Sequence, residues 1–383
     1  MTQTQIRVLV VAHGPPLKGG IATVALDLVE DSGLNAEFQM VFLNTAQNDS
    51  QRGKLALANI KRAAADAFNT FRLARKGTVV HSHSVQDPWL VGWRQVSIAL
   101  AARLRGANVL LHNHNQAPYM EPPGEYQISK LNRWAFAALD RLVVANILIA
   151  AAGEPNIRKY MPTVALPVIA NSVVVDTVPQ SSAVHDPAVI LFIGEILERK
   201  GIVILLDALD QLDAAGIGPY ELRILGDNRA GLDPLKDEMV RLITKRGRAQ
   251  TMTGPVPRSE VYRHLSEADM YVFPTFTEGQ PFTVIEALAA GVPIVASDIQ
   301  AISNMIEDGV NGRMVSLENT ALKNTALDST AGFTQAIAEL LADPGLRRKI
   351  SKANRALALQ RFDRAVFRER IAGLYRQHGH PVR

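Results

Sequence analysis

Twice along this chain a short apolar run gives way to a glycine turn and then to an amphipathic stretch with helical spacing. Ile6-Arg-Val-Leu-Val-Val-Ala12 leads into His13-Gly-Pro-Pro-Leu-Lys-Gly-Gly20 and a helical pattern from Ile21 to Glu30. Val189-Ile-Leu-Phe-Ile193 leads into Gly194-Glu-Ile-Leu-Glu-Arg-Lys-Gly201 and a helical run to Leu212. Strands that are apolar on both faces and alternate with helices build parallel sheets covered on both sides. Further strands are expected at Thr78–His81, Asn108–His112, Arg141–Ala145, Val164–Ile169, Glu221–Leu225, Met270–Phe273 and Ile294–Ala296. Asp176 to Pro187, rich in Ser, Pro and Asp, reads as a linker, and 383 residues exceed one ordinary domain. The expected fold class is α/β, with two similar domains over residues 1–180 and 187–363. Ligands of open parallel sheets sit beyond the carboxyl ends of the strands. Gly20, His81, His83, His112, His114, Gly194, Gly226 and Pro274 follow or close such strands. Two such domains facing one another would form a cleft with loops from both sides.

Composition excludes several classes. With 47% apolar and 20% charged residues, the chain is neither disordered nor fibrous. No apolar run reaches the roughly 18 residues that span a bilayer; the best candidate, Leu142 to Ala152, is interrupted by Asn146. Met-Thr-Gln-Thr-Gln runs straight into the first strand with no basic segment or cleavage site, so no signal peptide is expected. The chain has no Cys, which removes disulfides, thiolate metal sites and cysteine nucleophiles. A cytoplasmic location follows as an expectation. The net charge of +4 is unevenly placed, with 17 Lys and Arg against 12 Asp and Glu in residues 1–180 and 24 against 25 in the rest. That offset does not argue for nucleic acid, which calls for a concentrated basic stripe.

The most informative segment runs from Phe273 to Ser297. Pro274 to Gly279 reads as a loop, and Phe282 to Ala290 as a helix stopped by Gly291 and Pro293. Glu278 then lies on the loop and Glu286 about one turn into the helix. The first-turn amides of Phe282 and Thr283, with the positive end of the helix dipole, favour an anionic group such as a phosphate. A carboxylate one turn on suits vicinal sugar hydroxyls, as in dinucleotide folds.

With these residues the sequence resembles the retaining family 4 glycosyltransferases (glycosyl transferases group 1) of bacterial polysaccharide biosynthesis. Matching segments are Lys18 to Val24, Val79 to Ser84, Val109 to His114, Val168 to Ser172, Arg199-Lys-Gly201, Ile224-Leu-Gly-Asp227, Gly254-Pro-Val256, Ala268 to Pro274 and Asp308 to Gly312. The resemblance implies a GT-B fold, two Rossmann-like domains whose parallel sheets face a central cleft. It implies an acceptor bound by the first domain, a UDP- or GDP-linked sugar bound by the second, and a C-terminal helix, about 364–383, packed back on the first. Transfer with retention and without a required metal or other cofactor is implied too. Carried over by position, Glu278 lies beside the donor sugar and Glu286 takes the ribose hydroxyls. The stretch Gln280, Pro281, Phe282, Thr283 holds sugar and diphosphate, and Lys200 neutralises the leaving phosphate. Gly19 and Gly20 let backbone approach the diphosphate, Val256 contacts the base, and His114 lies near the reacting sugar. The chain departs from the pattern at Glu195, where the family carries Arg. Arg199 is expected to supply the second positive charge instead.

His81-x-His83 and His112-x-His114 might suggest zinc, but histidines so spaced on one strand need a third ligand that nothing in the sequence nominates, so no metal site is expected. Tyr119 to Tyr126 reads as a loop over the acceptor side or a plain connector. Between Arg52 and Lys76 seven cations face one acid, Asp66, and Leu57, Ile60, Ala64, Ala67, Phe68 and Phe71 share one helical side. Such a helix either packs on the sheet or lies on anionic headgroups at the inner face of the membrane. The expected function is transfer of a sugar to a lipid-linked or polysaccharide acceptor. The alternatives are a non-catalytic sugar-nucleotide or glycan-binding protein, or a nucleotide-sugar 2-epimerase. Neither strand-end loop spells the Gly-x-Gly-x-x-Gly of a dehydrogenase.

Overall fold

Every strand pair in this computed structural model is parallel, in two separate sheets. The structure describes residues 5–17, 19–46, 57–85, 89–114, 129–182, 184–226, 234–248, 251–317 and 326–381. Lys18, Arg52, Lys54, the loop Tyr119 to Tyr126 and Asp227 lie outside them. The chain divides into Met1–Asn171 with Ala365–Arg383, and Ser172–Arg364.

The first unit runs β1 (Ile6–Ala12), α1 (Gly20–Glu30), α2 (Ser32–Glu37), β2 (Phe38–Asn44), α3 (Leu57–Leu73), β3 (Val79–Ser84), α4 (Trp89–Leu104), β4 (Asn108–Asn113), α5 (Lys130–Leu142), β5 (Ala145–Leu148) and α6 (Glu154–Arg158). Its sheet order is β2-β1-β3-β4-β5. Because side chains alternate across a strand, Leu9, Val11, Val80, Val109 and Leu111 fall on one face, packed with Ile98, Ala102, Phe136 and Leu139 of α4 and α5. The other face carries His81, His83 and His112. The expected strand at Arg141–Ala145 begins only at Ala145, since α5 continues to Leu142 with Phe136 and Leu139 buried. Val164–Ile169 forms only isolated bridges, Ala145 to Ala165 and Leu148 to Val168. Pro167 has no N–H to give a ladder.

The second unit runs β6 (Ala188–Ile193), α7 (Ile202–Ala214), β7 (Tyr220–Leu225), α8 (Pro234–Lys245), β8 (Met252–Gly254), α9 (Arg258–Ser266), β9 (Met270–Phe273), α10 (Phe282–Ala290), β10 (Ile294–Ser297), α11 (Gln300–Ser303), β11 (Arg313–Val315), α12 (Ala326–Ala342) and α13 (Pro344–Arg361). Its sheet order is β11-β10-β9-β6-β7-β8. The final helix, α14 (Arg364–His378), joins the first unit from Ala365 onward. There Tyr375 packs edge-on against Phe38, with ring centroids 5.3 Å apart.

The division falls at Asn171/Ser172, ahead of the position near 180 expected from sequence, because the stretch read as a linker is tied to the second unit. Val173 N–H donates to the Phe362 carbonyl at 3.0 Å, and Ser181 N–H to that of Ala290 at 2.8 Å. Asp269, fully buried, accepts from the amides of His185 (2.9 Å) and Val189 (2.8 Å), which pins the entry to β6.

Candidate active site

Within the second unit the carboxyl ends of β6 and β9 carry the residues that sequence singled out. After β6 the chain turns through Glu198–Lys200 and reaches Gly201 at φ +74°, a left-handed conformation that favours glycine. A Cβ there would lie 1.8 Å from the Pro274 carbonyl oxygen, so only glycine lets the two strand-end loops touch. Phe276 N–H donates to the Arg199 carbonyl at 3.0 Å across this contact. Lys200 and Glu278 are thereby brought together as a largely buried ion pair. The Thr275 hydroxyl lies 3.3 Å from Glu278 Oε1. Arg199, expected to supply the second positive charge, is instead paired with Glu195, four residues earlier, at a half-exposed position.

The second glutamate sits on α10, a helix buried all round from Val284 to Ala290 and closed by Gly291 at φ +71°. Glu286 is 6% exposed and accepts from Arg258 Nε at 2.9 Å. Burial raises its carboxyl above the ordinary range, and Arg258 opposes that rise. Arg258 begins α9, two residues after half-buried Val256. Pro281 caps α10, with Gln280 buried and Phe282 and Thr283 half-buried. Amides of a first turn have no intrahelical acceptor and offer themselves to an anion. The Tyr271 hydroxyl lies 3.0 Å from the Thr283 hydroxyl and 3.2 Å from the Ile193 carbonyl oxygen, so it accepts from Thr283 when it gives its one proton to Ile193. Burial drives the Tyr271 phenol well up, so it stays protonated. Lys200, Glu278, Val256, Glu286 and the Gln280–Thr283 stretch thus belong to one unit.

Gly19, Gly20 and His114 belong to the first unit. Gly19 caps α1 at φ +146°, and its carbonyl accepts from Thr23 N–H at 3.0 Å. A Cβ there would meet nothing within 4 Å, so backbone conformation rather than crowding calls for glycine in this structure. His114 follows β4, its amide donating to the Ser84 carbonyl at 3.0 Å and its Nε2 lying 2.9 Å from His83 Nδ1. Burial pushes its pKa down to about 3, so the ring is neutral at neutral pH. The register pairs His83 with His112 on the neighbouring strand. A third histidine, which the sequence reading did not nominate, is therefore delivered to His81 and His83.

Three functional or structural residues escaped the sequence reading. Arg258 had no signal beyond its place after Val256-Pro257. Tyr271 and Asp269 lie inside a motif that was noticed, yet the partners that define them come from elsewhere in the chain. The basic helix α3 resolves unexpectedly: Asn59, Asp66 and Thr70 face inward, with Asp66 bound to Arg94 Nε at 2.8 Å, while Ile60, Phe68 and Phe71 are exposed. Among the described residues no helix is long and apolar enough to cross a membrane.

Residues 187–343 match the family profile described as glycosyl transferases group 1. α-D-Kanosaminyltransferase of Streptomyces kanamyceticus is 25% identical over 196 residues, 51% of this chain and 47% of that protein. Amylovoran biosynthesis glycosyltransferase AmsK of Erwinia amylovora is 32% identical over 143 residues, 34% of this chain and 32% of that protein. The chain thus spans half or less of the length of these two relatives. In fold it is similar to sucrose-phosphate synthase from Thermosynechococcus elongatus, with a TM-score of 0.74 at 18% identity over 97% of this chain and 99% of that one. Residues 187–343 thus carry the profile of the group 1 glycosyltransferases, and the two parallel-sheet α/β units have the GT-B fold.

Proposed function

We propose that the protein moves a sugar, with retention at the anomeric carbon, from a UDP- or GDP-linked donor to an acceptor hydroxyl on a lipid-linked or polysaccharide intermediate. The observation that carries this reading is the meeting of Lys200 with Glu278 at one strand end, beside a helix N-terminus whose next turn presents the buried Glu286. In this reading the α10 amides and Lys200 hold the diphosphate, Glu286 accepts the ribose hydroxyls, and Glu278 lies against the donor sugar. The glycosyl–phosphate C–O bond breaks with its electron pair passing to the phosphate oxygen, whose charge Lys200 and the amides stabilise. The acceptor oxygen bonds to the same face of the anomeric carbon, and its proton passes to the departing phosphate. No metal is needed at the diphosphate. His114, neutral, donates to a sugar hydroxyl or phosphate oxygen rather than acting as a cation.

The first unit takes the acceptor and works against an anionic membrane from the cytoplasmic side. What supports this is a face of three adjoining helices, α3 to α5, that turns Ile60, Phe68, Phe71, Leu100, Leu104, Leu131 and Trp134 outward. Exposed Lys61, Arg72, Arg103, Arg105, Lys130 and Arg133 stand among them, and the three helices contain no acid but Asp66 and Asp140. Apolar side chains with surrounding cations and almost no acids suit anionic headgroups.

Thermal unfolding against UDP, GDP, ADP and their sugars tests the donor site. A ligand at about 100 times its dissociation constant adds roughly 2.7 kcal/mol to stability, and one nucleotide should do so in wild type and fail in Glu286→Ala. A nucleotide sugar that binds without turnover would favour the binding-protein reading, to which the Glu195–Arg199 pair lends support by cancelling a cation near the diphosphate.

A further inference from the structure

On the sheet face away from α4 and α5, four histidines stand side by side: His81 and His83 on β3, His112 on β4, and His114 just past its end. His81, His83 and His112 are at most 2% exposed. His81 Nδ1 lies 2.7 Å from the Tyr375 hydroxyl and His83 Nδ1 2.9 Å from His114 Nε2. The Nε2 atoms of His81 and His83 and both nitrogens of His112 are buried without a hydrogen-bond partner among the described residues. One nitrogen from each of these three rings lies within 4.8 Å of the other two. Orphaned buried nitrogens are costly, and here they belong to three rings close enough for one ion to reach a nitrogen of each.

We propose that His81, His83 and His112 hold a divalent transition-metal ion of the zinc class, in a three-imidazole site inside the first unit. A metal-bound imidazole characteristically gives one nitrogen to the ion while its other N–H is held by a neighbour. His81 and His83 are arranged in that way. When Nδ1–H donates to Tyr375 Oη in the one and to His114 Nε2 in the other, each Nε2 keeps its lone pair. The second tautomer also leaves the His114 proton on Nδ1. His112 supplies either nitrogen. Burial keeps all three rings neutral, the form in which imidazole binds a metal. An all-nitrogen set selects zinc, copper or nickel over magnesium or calcium. Ligand nitrogens about 2.0–2.1 Å from a tetrahedral metal are roughly 3.3 Å apart, so binding draws the rings inward. His81 and His112 are parallel within 2° and His83 is tilted 35° and 36° to them, so bringing the ion into all three ring planes turns rings about their terminal torsions, which are soft. The ion takes no part in the transfer proposed above, and the site stands or falls separately from it.

The test uses the full chain, stripped with a chelator, desalted, and titrated with Co²⁺ and Zn²⁺. Expected are one equivalent of either ion retained through desalting, visible Co²⁺ bands of a four- or five-coordinate nitrogen site, and a raised unfolding midpoint. His112→Ala should lose the bands and the retained ion. Tyr375→Phe leaves all three ligands and removes only the outer partner of His81, so affinity should fall about 10- to 100-fold. Failure of the wild type to retain either ion overturns the proposal, as does retention unchanged in both His81→Ala and His112→Ala. Should those variants fail to fold by circular dichroism, the wild-type Co²⁺ spectrum decides, because a pale six-coordinate spectrum also overturns it.

Discussion

A carboxylate accepts two sugar hydroxyls best when ionised, and in the proposed donor site Glu286 has one cation, Arg258, to favour its charged form. Desolvation raises its pKa and Arg258 holds the rise in check. The sign follows: the binding-competent form is deprotonated, so nucleotide affinity falls as pH falls through the raised pKa. In Arg258→Ala that loss should begin at higher pH, with affinity about tenfold weaker than wild type near pH 6, which is about 1.4 kcal/mol. Calorimetric titration with the nucleotide at several pH values checks this, and superimposable profiles would refute it. The glutamates were legible because their spacing fixes loop and helix around them. Arg258 was not, because a long side chain that crosses 28 positions of sequence to reach its partner leaves no local pattern.

Among the elements, α3 shows what periodicity can and cannot say. The stripe of Ile60, Ala64, Phe68 and Phe71 was visible as helical spacing, but its direction was open. The structure turns Ile60, Phe68 and Phe71 outward because Asp66 is bound to Arg94 and Thr70 bonds the Asp66 carbonyl on the buried side. An inward carboxylate with its own cation overrides an apolar face, a decision made by a neighbouring helix. Near an anionic surface each basic residue contributes about 1 kcal/mol. Lys61→Glu combined with Arg72→Glu should therefore weaken partition onto phosphatidylserine-rich vesicles at least tenfold, with no loss on neutral ones. Equal sedimentation with both vesicle types for variant and wild type would remove the membrane assignment. The strand-end loops, by contrast, were readable in full outline, since Gly201 and the Pro274 loop each carry their own turn chemistry. Their mutual contact was not.

For the molecule as a whole, the two units should differ in acid sensitivity. His81, His83, His112 and His114 all have folded-state pKa values below the usual 6.5, chiefly from burial. Their contribution is complete above that value and is lost as pH falls, because the unfolded chain takes up protons that the folded one refuses. All four lie in the first unit, so the loss falls on that unit. Tryptophan emission reports only on the first unit, since Trp89, Trp93 and Trp134 all lie there. In the metal-free protein it should change as pH falls below the usual histidine range, ahead of the loss of helical circular dichroism from the second unit. Simultaneous transitions would contradict the assignment. The strand pattern announced two sheets, but the cross-strand register that stacks these rings is tertiary and could not be read from spacing.

The first unit begins at the start of the chain, yet α14 completes it with residues that follow the whole of the second. Tyr375, which closes over Phe38 and His81, is made after some 290 intervening residues. On the ribosome, where domains usually fold in the order they emerge, the unit started first is the one finished last. Until Tyr375 arrives, His81 lacks its hydroxyl partner, so the second sheet can be whole while the first still waits for its last helix.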